Sequence, residues 1–366
     1  MNKTIVTKII RVLIIDDSAL VRDILSKGLG SDPGIEVVGT APDVFVARDL
    51  IVRHKPDVLT LDVEMPRMDG IEFLRKLMPQ YPIPVVVVSS LTQKGKDITM
   101  QALEAGAVDY VSKPMANLAE GLQGMMNELR TKVKIASTAN VSHWKNKKFE
   151  NADEAKPNLT GSRALAESTD KIIAIGASTG GTEAIRKVVS YLPPNTPGIV
   201  IVQHMPAGFT KTFADRINQV AMMSAKEAED GDRIINGRIL IAPGDYHMKV
   251  ERSGGRYEVR LIRTDKVNGH RPSVDVLFHS VAQQVGANAY GVILTGMGND
   301  GAQGLKAMKQ NGAKTFGQNQ STSVVYGMPK VAFELGAVDI QLPLDEIAKR
   351  LIAQIENDKK VFEGRN

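Results

Sequence analysis

The chain has 366 residues, 43% hydrophobic and 24% charged, with no cysteine and a formal net charge of +5. That length favours two domains over one core. The missing cysteine excludes disulfides and thiolate metal sites and suits a reducing cytoplasm. The mild positive charge comes without an arginine-rich run interleaved with aromatics, so nucleic acid is not the expected partner.

The N-terminus carries Lys3, Lys8 and Arg11 among apolar residues, but Asp16 and Asp17 interrupt the run and no small-residue cleavage site precedes them. It therefore does not read as a signal peptide, and it is far too short for a membrane span.

From residue 12 onward, short apolar runs alternate with stretches of helical period. Val12-Leu13-Ile14-Ile15, Glu36-Val37-Val38-Gly39, Val58-Leu59-Thr60-Leu61, Val85-Val86-Val87-Val88 and Ala107-Val108-Asp109-Tyr110-Val111 predict five strands, and residues 19–29 and 47–53 predict helices. Apolar runs without alternation imply strands buried on both faces, hence a parallel sheet covered by helices. Ligands of such sheets sit at the carboxyl ends of the strands. There the sequence places Asp16 and Asp17, Asp62, Ser89 and Lys113. Converging carboxylates repel one another unless a hard cation such as Mg²⁺ neutralises them, and a lysine and a hydroxyl can hold phosphoryl oxygens. Singly, each has a plainer reading: Asp17 as a helix cap, Asp62 as a turn residue, Lys113 as a solvated side chain.

Asp16-Asp17-Ser18, Asp62 with Met65-Pro66 and Met68-Asp69-Gly70, Ser89 and Lys113-Pro114 resemble the receiver domain of two-component response regulators, over roughly residues 9–130. The resemblance implies that Asp62 accepts a phosphoryl group from a histidine kinase. Asp17 and Asp62 would ligate Mg²⁺, with Asp16 assisting through water and the Glu64 carbonyl completing the site. Ser89 and Lys113 would hold the phosphoryl group. Tyr110 stands where the family has an aromatic that changes rotamer, and reads equally well as a half-buried strand tyrosine.

Residues 131–169 are rich in Lys, Asn, Ala, Ser and Thr without a sustained period, and read as a flexible interdomain linker. Trp144, the sole tryptophan, lies there among lysines. It is either a docking spot for a partner or a residue packed on one of the domains.

A second α/β domain is expected over 170–358, with a mainly parallel sheet. Ile172-Ile173-Ala174-Ile175 runs into Gly176-Ala177-Ser178-Thr179-Gly180-Gly181, and a helical stretch follows. The turn fits a G-x-S-x-G nucleophile elbow, an anion cradle at a helix N-terminus, or plain βα geometry. His204 ends the strand at 198–202, and Asp300 follows the strand at 291–295. Serine needs an adjacent base, histidine has the right basicity, and a carboxylate fixes its tautomer. Backbone N–H groups near Thr179 and Met297 offer an oxyanion hole. Of the other histidines, His247 and His270 fall in predicted loops and His279 in a predicted helix, whereas His204 alone ends a buried strand. His270 heads Arg271-Pro272-Ser273, a stretch placed to line a substrate groove.

The order Ser–His–Asp departs from the Ser–Asp–His of α/β-hydrolases. Instead, Gly176-Ala177-Ser178-Thr179-Gly180-Gly181, Gln203-His204-Met205-Pro206, Ala242-Pro243-Gly244-Asp245, Arg271-Pro272-Ser273-Val274-Asp275 and Leu294-Thr295-Gly296-Met297-Gly298-Asn299-Asp300-Gly301 resemble the catalytic domain of the CheB family of chemotaxis methylesterases. The whole then implies a flavodoxin-like, doubly wound receiver joined to an α/β methylesterase domain. It implies a phosphorylation-activated cytoplasmic enzyme with Ser178, His204 and Asp300 as catalytic triad. That enzyme would hydrolyse glutamate γ-methyl esters, and deamidate certain glutamines, on methyl-accepting chemoreceptors. Mg²⁺ would serve the receiver, and no cofactor the ester step. The partners implied are a chemotaxis histidine kinase and the receptors, with the linker near Trp144 as a tether and contact with the membrane only through receptors. In that family the unphosphorylated receiver blocks the active site. The rival readings are a regulator with a DNA-binding effector, disfavoured by the strand–helix alternation of the second half, and a nucleotide-phosphate site at Ser178.

Overall fold

Apolar runs of β-branched residues cannot be solvated on either face, and in the computed structural model they line up as two sheets. The structure describes residues 8–65, 68–90, 92–113, 118–147 and 171–363, with backbone only at 118–121 and 361–363. The chain divides into two compact units, Met1–Glu150 and Asn151–Asn366.

In the first unit, β1 (Ile10–Ile15), β2 (Ile35–Ala41), β3 (Val58–Leu61), β4 (Val85–Ser89) and β5 (Asp109–Ser112) form a five-stranded sheet in the order β2-β1-β3-β4-β5. Every pairing in it is parallel. Helices α1 (Ala19–Gly30), α2 (Val44–His54), α3 (Gly70–Gln80), α4 (Gln93–Glu104) and α5 (Leu118–Ala136) connect and flank the strands. Side-chain caps start four of them: Ser18, Asp43, Asp69 and Thr92 each accept a first-turn N–H. Because Ser18 caps α1, the Asp17 carboxylate is not used as its cap.

The linker does not begin at residue 131. Helix α5 runs to Ala136 because Leu129, Val133 and Ala136, spaced at helical intervals, are fully buried. The Lys- and Thr-rich residues between them hide that stripe. Beyond it a short 3₁₀ turn, Ser142–Trp144, brings in Trp144, which is 3% exposed. Its ring edge approaches Gly106 and Met78, the Asn146 N–H donates to the Pro79 carbonyl at 2.9 Å, and Lys147 Nζ lies 3.9 Å from the ring centroid. Of the two readings of Trp144, packing on a domain is the one observed. Residues 148–170 of the expected linker lie outside the described residues.

The second unit has a seven-stranded sheet in the order β14-β13-β12-β6-β7-β9-β8. Its strands are β6 (Ile172–Ala177), β7 (Gly198–Gln203), β8 (Ser224–Glu227), β9 (Arg238–Ile241), β12 (Ala289–Ile293), β13 (Lys314–Gln318) and β14 (Ile340–Leu342), all parallel to their neighbours. The expected hairpin is β10 (His247–Ser253) with β11 (Arg256–Ile262), the antiparallel pair. Helices α6 (Gly181–Ser190), α7 (Phe209–Val220), α8 (Val274–Gln284), α9 (Ala302–Gln310), α10 (Met328–Glu334) and α11 (Leu344–Glu363) complete it. The β10–β11 hairpin packs on one side against α8, where Met248, Val250, Val259, Leu277 and Val281 share a core.

In both sheets the first strand has neighbours that the chain reaches in opposite directions. In the first sheet β1 lies between β2 and β3; in the second, β6 lies between β7 and β12. Such switch points leave a crevice at the carboxyl ends of the strands. Both sets of candidate residues sit there.

Candidate active site and phosphoryl-acceptor site

Ser178 follows the last residue of β6, and the strand bonds continue beyond the sheet to fix its turn. The Ser178 N–H donates to the Thr295 carbonyl at 3.0 Å, and the Thr295 hydroxyl donates to the Thr179 carbonyl at 3.0 Å. Backbone approach at this point is close: a Cβ on Gly296 would lie 2.7 Å from the Ser178 Cβ. The Gln203 side-chain amide donates to the carbonyl of Ser178 at 2.9 Å and to that of His204 at 3.3 Å. Ser178 is not among the residues with positive φ; the left-handed residue of the turn is Gly180, at φ 75°. The turn therefore has the sequence of a nucleophile elbow without strain on the serine itself.

His204 follows β7, and its side chain is 6% exposed. Nε2 lies 2.8 Å from Asp300 Oδ2, whereas Nδ1 is buried and has no hydrogen-bond partner among the described residues. Asp300, 1% exposed, lies at the N-terminus of α8. The backbone N–H groups of Val274 and Asp275 donate to its oxygens at 2.7 and 3.2 Å, the Ser273 hydroxyl at 2.8 Å and the Asn268 amide at 2.8 Å. Burial alone would push this carboxyl up. The hydrogen bonds from His204, Asn268 and Ser273, with the attraction of His204, outweigh it and hold Asp300 well below the usual carboxylate range. Asp300 is thus ionised and oriented, and the reading of it as a plain helix cap does not fit a side chain that also meets the histidine.

The remaining histidines separate cleanly. His247 opens β10 rather than lying in a loop, and is fully buried. One ring nitrogen lies 2.9 Å from the Asp265 carbonyl and the other accepts the Ser273 N–H at 3.2 Å, so it is structural. His279 lies on α8 as expected. His270 stacks on His204, with ring centroids 3.7 Å apart and planes at 12°.

Three residues were invisible as site residues in the sequence: Asn268, Ser273 in its contact with Asp300, and Asp275. Burial pushes the Asp275 carboxyl up, and the neighbouring Asp300 charge adds to the shift. Asp275 accepts N–H bonds from Asn268 and from Gly304, and the Asn268 amide is shared with Asp300. The Asn268-Gly269 dipeptide was the available signal, because it marks a tight turn.

In the first unit, carboxylate oxygens of Asp16, Asp17 and Asp62 lie within 4.8 Å of one another at the ends of β1 and β3. Lys113 Nζ reaches Asp62 Oδ2 at 2.6 Å and Asp16 Oδ2 at 3.1 Å. Burial pushes the Asp16 carboxyl up; Lys113 opposes the shift and Asp62 adds to it. Burial works against the Lys113 charge too, but its bonds to the two aspartates win and hold its pKa above the ordinary value. Ser89 is buried and its hydroxyl donates to the Gly95 carbonyl at 3.3 Å. The Glu64 N–H donates to Asp62 Oδ1 at 3.0 Å, and its carboxylate accepts from Ser90. Tyr110 is 5% exposed, buried rather than half-buried, and burial raises its phenol well above the ordinary value.

These two sites coincide with two known families. Residues 12–123 match the response regulator receiver domain, and residues 173–351 match the CheB methylesterase domain. A protein-glutamate methylesterase/protein-glutamine glutaminase of Syntrophotalea carbinolica is 63% identical over 94% of this chain and 97% of its own length. The chain belongs to the CheB methylesterase family. A family member from Sulfurimonas denitrificans with the same description is 54% identical over 96% of this chain and 99% of its own. The crystal structure of the Thermotoga maritima CheB methylesterase catalytic domain is 40% identical, with a TM-score of 0.50, and covers 51% of this chain and 100% of that one. This chain is thus a receiver followed by a methylesterase domain. Among the described residues no helix is long and apolar enough to cross a membrane.

Proposed function

We propose that the chain hydrolyses glutamate γ-methyl esters on methyl-accepting chemoreceptors, and deamidates certain receptor glutamines, with Ser178 as nucleophile, His204 as base and Asp300 as its orienting carboxylate. The observation that carries this reading is the His204–Asp300 bond through Nε2, which commits one ring nitrogen to the carboxylate and leaves the buried Nδ1 as the base atom. Ser178 Oγ attacks the ester carbonyl as its proton passes to Nδ1. The new C–O bond gives a tetrahedral oxyanion, which the N–H groups of Thr179 and Met297 hold. The proton on Nδ1 then goes to the departing methoxide, which leaves as methanol. Water attacks the acyl-serine, giving its proton to Nδ1, and Ser178 recovers a proton as the glutamate carboxylate departs. A glutamine amide follows the same path with ammonia as leaving group. Thr179 sits at the N-terminus of α6, and Gly296 packs against Ser178, which supports these two donors. Losing one such donor costs about 10²–10³ in rate.

In the receiver, Asp62 takes the phosphoryl group from a chemotaxis histidine kinase. Three carboxylates face the single Lys113 charge, all with hard oxygen donors, and this set fits Mg²⁺. Asp16, Asp17, Asp62 and the Glu64 carbonyl would hold the ion, which supplies charge neutralisation for phosphoryl transfer. Lys113 pairs the phosphoryl group. Ser89 leaves the Gly95 carbonyl to reach it, and Tyr110 is the aromatic that would respond. Phosphorylation raises the methylesterase rate, and the enzyme works in the cytoplasm without nucleic acid.

The test is methanol release from methylated receptor membranes, with and without a small-molecule phosphodonor. Ser178→Ala should abolish release in both conditions. Asp62→Asn should keep the basal rate and lose the stimulation. A Ser178→Ala variant that still releases methanol would overturn the nucleophile assignment.

A further inference from the structure

Residues 267–270 form a turn closed on itself: the Val267 N–H donates to the His270 carbonyl at 3.1 Å, and the His270 N–H donates back to Val267 at 2.9 Å. Both central residues, Asn268 and Gly269, are left-handed, with φ 53° and 81°. That is the geometry for which Asn-Gly is preferred. The legs of the turn are fixed on both sides. Arg271 donates to the Thr264 carbonyl at 2.6 Å and pairs with Asp245 at 2.5 Å, and the His247 ring holds the Asp265 carbonyl. A reverse turn on a surface loop needs none of these anchors for its own sake.

What the turn presents is informative. Its first central side chain, Asn268, donates one amide nitrogen to Asp300 Oδ1 and to Asp275 Oδ2, each at 2.8 Å. Its last side chain, His270, lies flat on the His204 ring at 3.7 Å. Four consecutive residues thus reach both the base and its carboxylate. An imidazole bonded at one nitrogen keeps freedom to rock about that bond, and a flat ring packed on its face removes it. The side chains of His204 and Asp300 are 6% and 1% exposed, so little water competes for the bond between them.

We propose that the turn at residues 267–270 is a positioning device for catalysis: Asn268 fixes Asp300, and the His270 ring, by stacking, holds the His204 imidazole in the plane that engages Asp300 through Nε2 and leaves Nδ1 for the nucleophile. This rests on the triad reading above. The charged and titratable groups that act on His270 are His204, Asp300 and Lys266. Burial first, and His204 second, push the His270 pKa down to about 4, so the stacking ring is neutral at working pH and does not repel the imidazolium that forms on His204. His270 touches no reacting atom in this scheme. Its work is done through His204.

The experiment uses the full chain, phosphodonor and methylated receptor membranes, and separates kcat from KM. His270→Ala is expected to lower kcat by about tenfold or more at unchanged KM, because geometry and not binding is lost. His270→Phe keeps a flat ring and should recover kcat to within about threefold of the native chain. Asn268→Ala should also lower kcat, and Asn268→Asp should lower it further by placing a third carboxylate beside Asp275 and Asp300. Proton NMR gives a readout independent of turnover: the downfield Nε2–H signal of the His204–Asp300 bond should persist in His270→Phe and broaden or vanish in His270→Ala. A His270→Ala kcat within twofold of native, or His270→Phe as impaired as His270→Ala, overturns the proposal. If Ser178→Ala is inactive while His270→Ala is unimpaired, only the positioning role fails. If Ser178→Ala stays active, it is the triad reading that fails.

Discussion

His204 meets Asp300 through Nε2, at 2.8 Å, and not through Nδ1. The choice of nitrogen has a consequence for substitution, because glutamine can place an amide near Nε2 whereas asparagine can only approximate Nδ1. His204→Gln should therefore keep a donor for the buried carboxylate but supply no base. His204→Ala leaves Asp300 with one donor fewer. Both should lose on the order of 10³-fold or more in kcat, while His204→Ala should be less stable than His204→Gln by about 1–3 kcal/mol. Methanol release and urea denaturation of the two variants check this. Equal stability would show that Asp300 does not depend on the imidazole.

Asp300 tests the orienting role directly. Asp300→Asn keeps the shape but places an NH₂ group among donors from Val274, Asp275, Ser273 and Asn268. An amide cannot accept from all of them, and it no longer stabilises an imidazolium. We expect kcat to fall on the order of 10³–10⁴, with a loss of stability besides. A fall below tenfold in kcat would remove Asp300 from the mechanism.

Much of this arrangement is legible in the sequence. The runs Val12-Leu13-Ile14-Ile15 and Val85-Val86-Val87-Val88 are at most 1% exposed, and burial on both faces is what an unalternating apolar run means. Knowing that the strands are parallel places Ser178, His204 and Asp300 on one edge, since each leaves a strand end. What stayed hidden depends on tertiary contact. Strand β8, Ser-Ala-Lys-Glu, is polar and partly exposed, and only its pairing with β9 makes it a strand. Trp144 sits among lysines, and nothing local says that Gly106 leaves room for its ring. Asn268-Gly269 announces a turn, but the carboxylates that the turn serves lie on segments remote in sequence.

Lys113 occupies the place that a cation site needs. Its ammonium bonds both Asp62 and Asp16, and so competes with a divalent ion for the same oxygens. Lys113→Ala should bind Mg²⁺ more tightly, by several-fold, and yet lose the stimulation of methanol release by phosphodonor, since nothing then pairs the phosphoryl group. Isothermal titration with Mg²⁺ and the stimulated-to-basal rate ratio give the two readouts. Weaker Mg²⁺ binding in the variant would show that the lysine supports the site and does not compete for it.

The low pKa of His270 also carries a sign. The folded chain holds this imidazole neutral down to about 4, whereas the unfolded chain takes up a proton near 6.5. Between those values the unfolded state binds more protons, so stability rises with pH through that window and is flat above it. His270→Phe removes this contribution. The stability of the native chain relative to His270→Phe should therefore fall as pH is lowered from 7 to 4, and should not change from 7 to 8. Urea denaturation of both proteins across that range gives the difference, from which pH effects elsewhere in the chain cancel. A difference independent of pH would mean that the ring is as accessible to protons folded as unfolded.

Trp144 makes the last prediction, and it concerns stability alone. The ring is 3% exposed, against Gly106 and Met78, with the Lys147 ammonium over its face. Trp144→Ala opens a cavity of indole size at the edge of the receiver and should cost about 3–5 kcal/mol. Lys147→Ala removes a cation–π contact, which contributes about 0.5–1 kcal/mol, so it should cost less than Trp144→Ala. Neither residue is near Ser178 in the chain, and both lie within the first compact unit. The basal methanol release of Trp144→Ala should accordingly stay native at a temperature where its receiver is folded, while its first thermal transition moves down. If Trp144→Ala left that transition in place, the ring would not be holding the end of α5 and the following turn to the receiver, and its burial would have no energetic consequence.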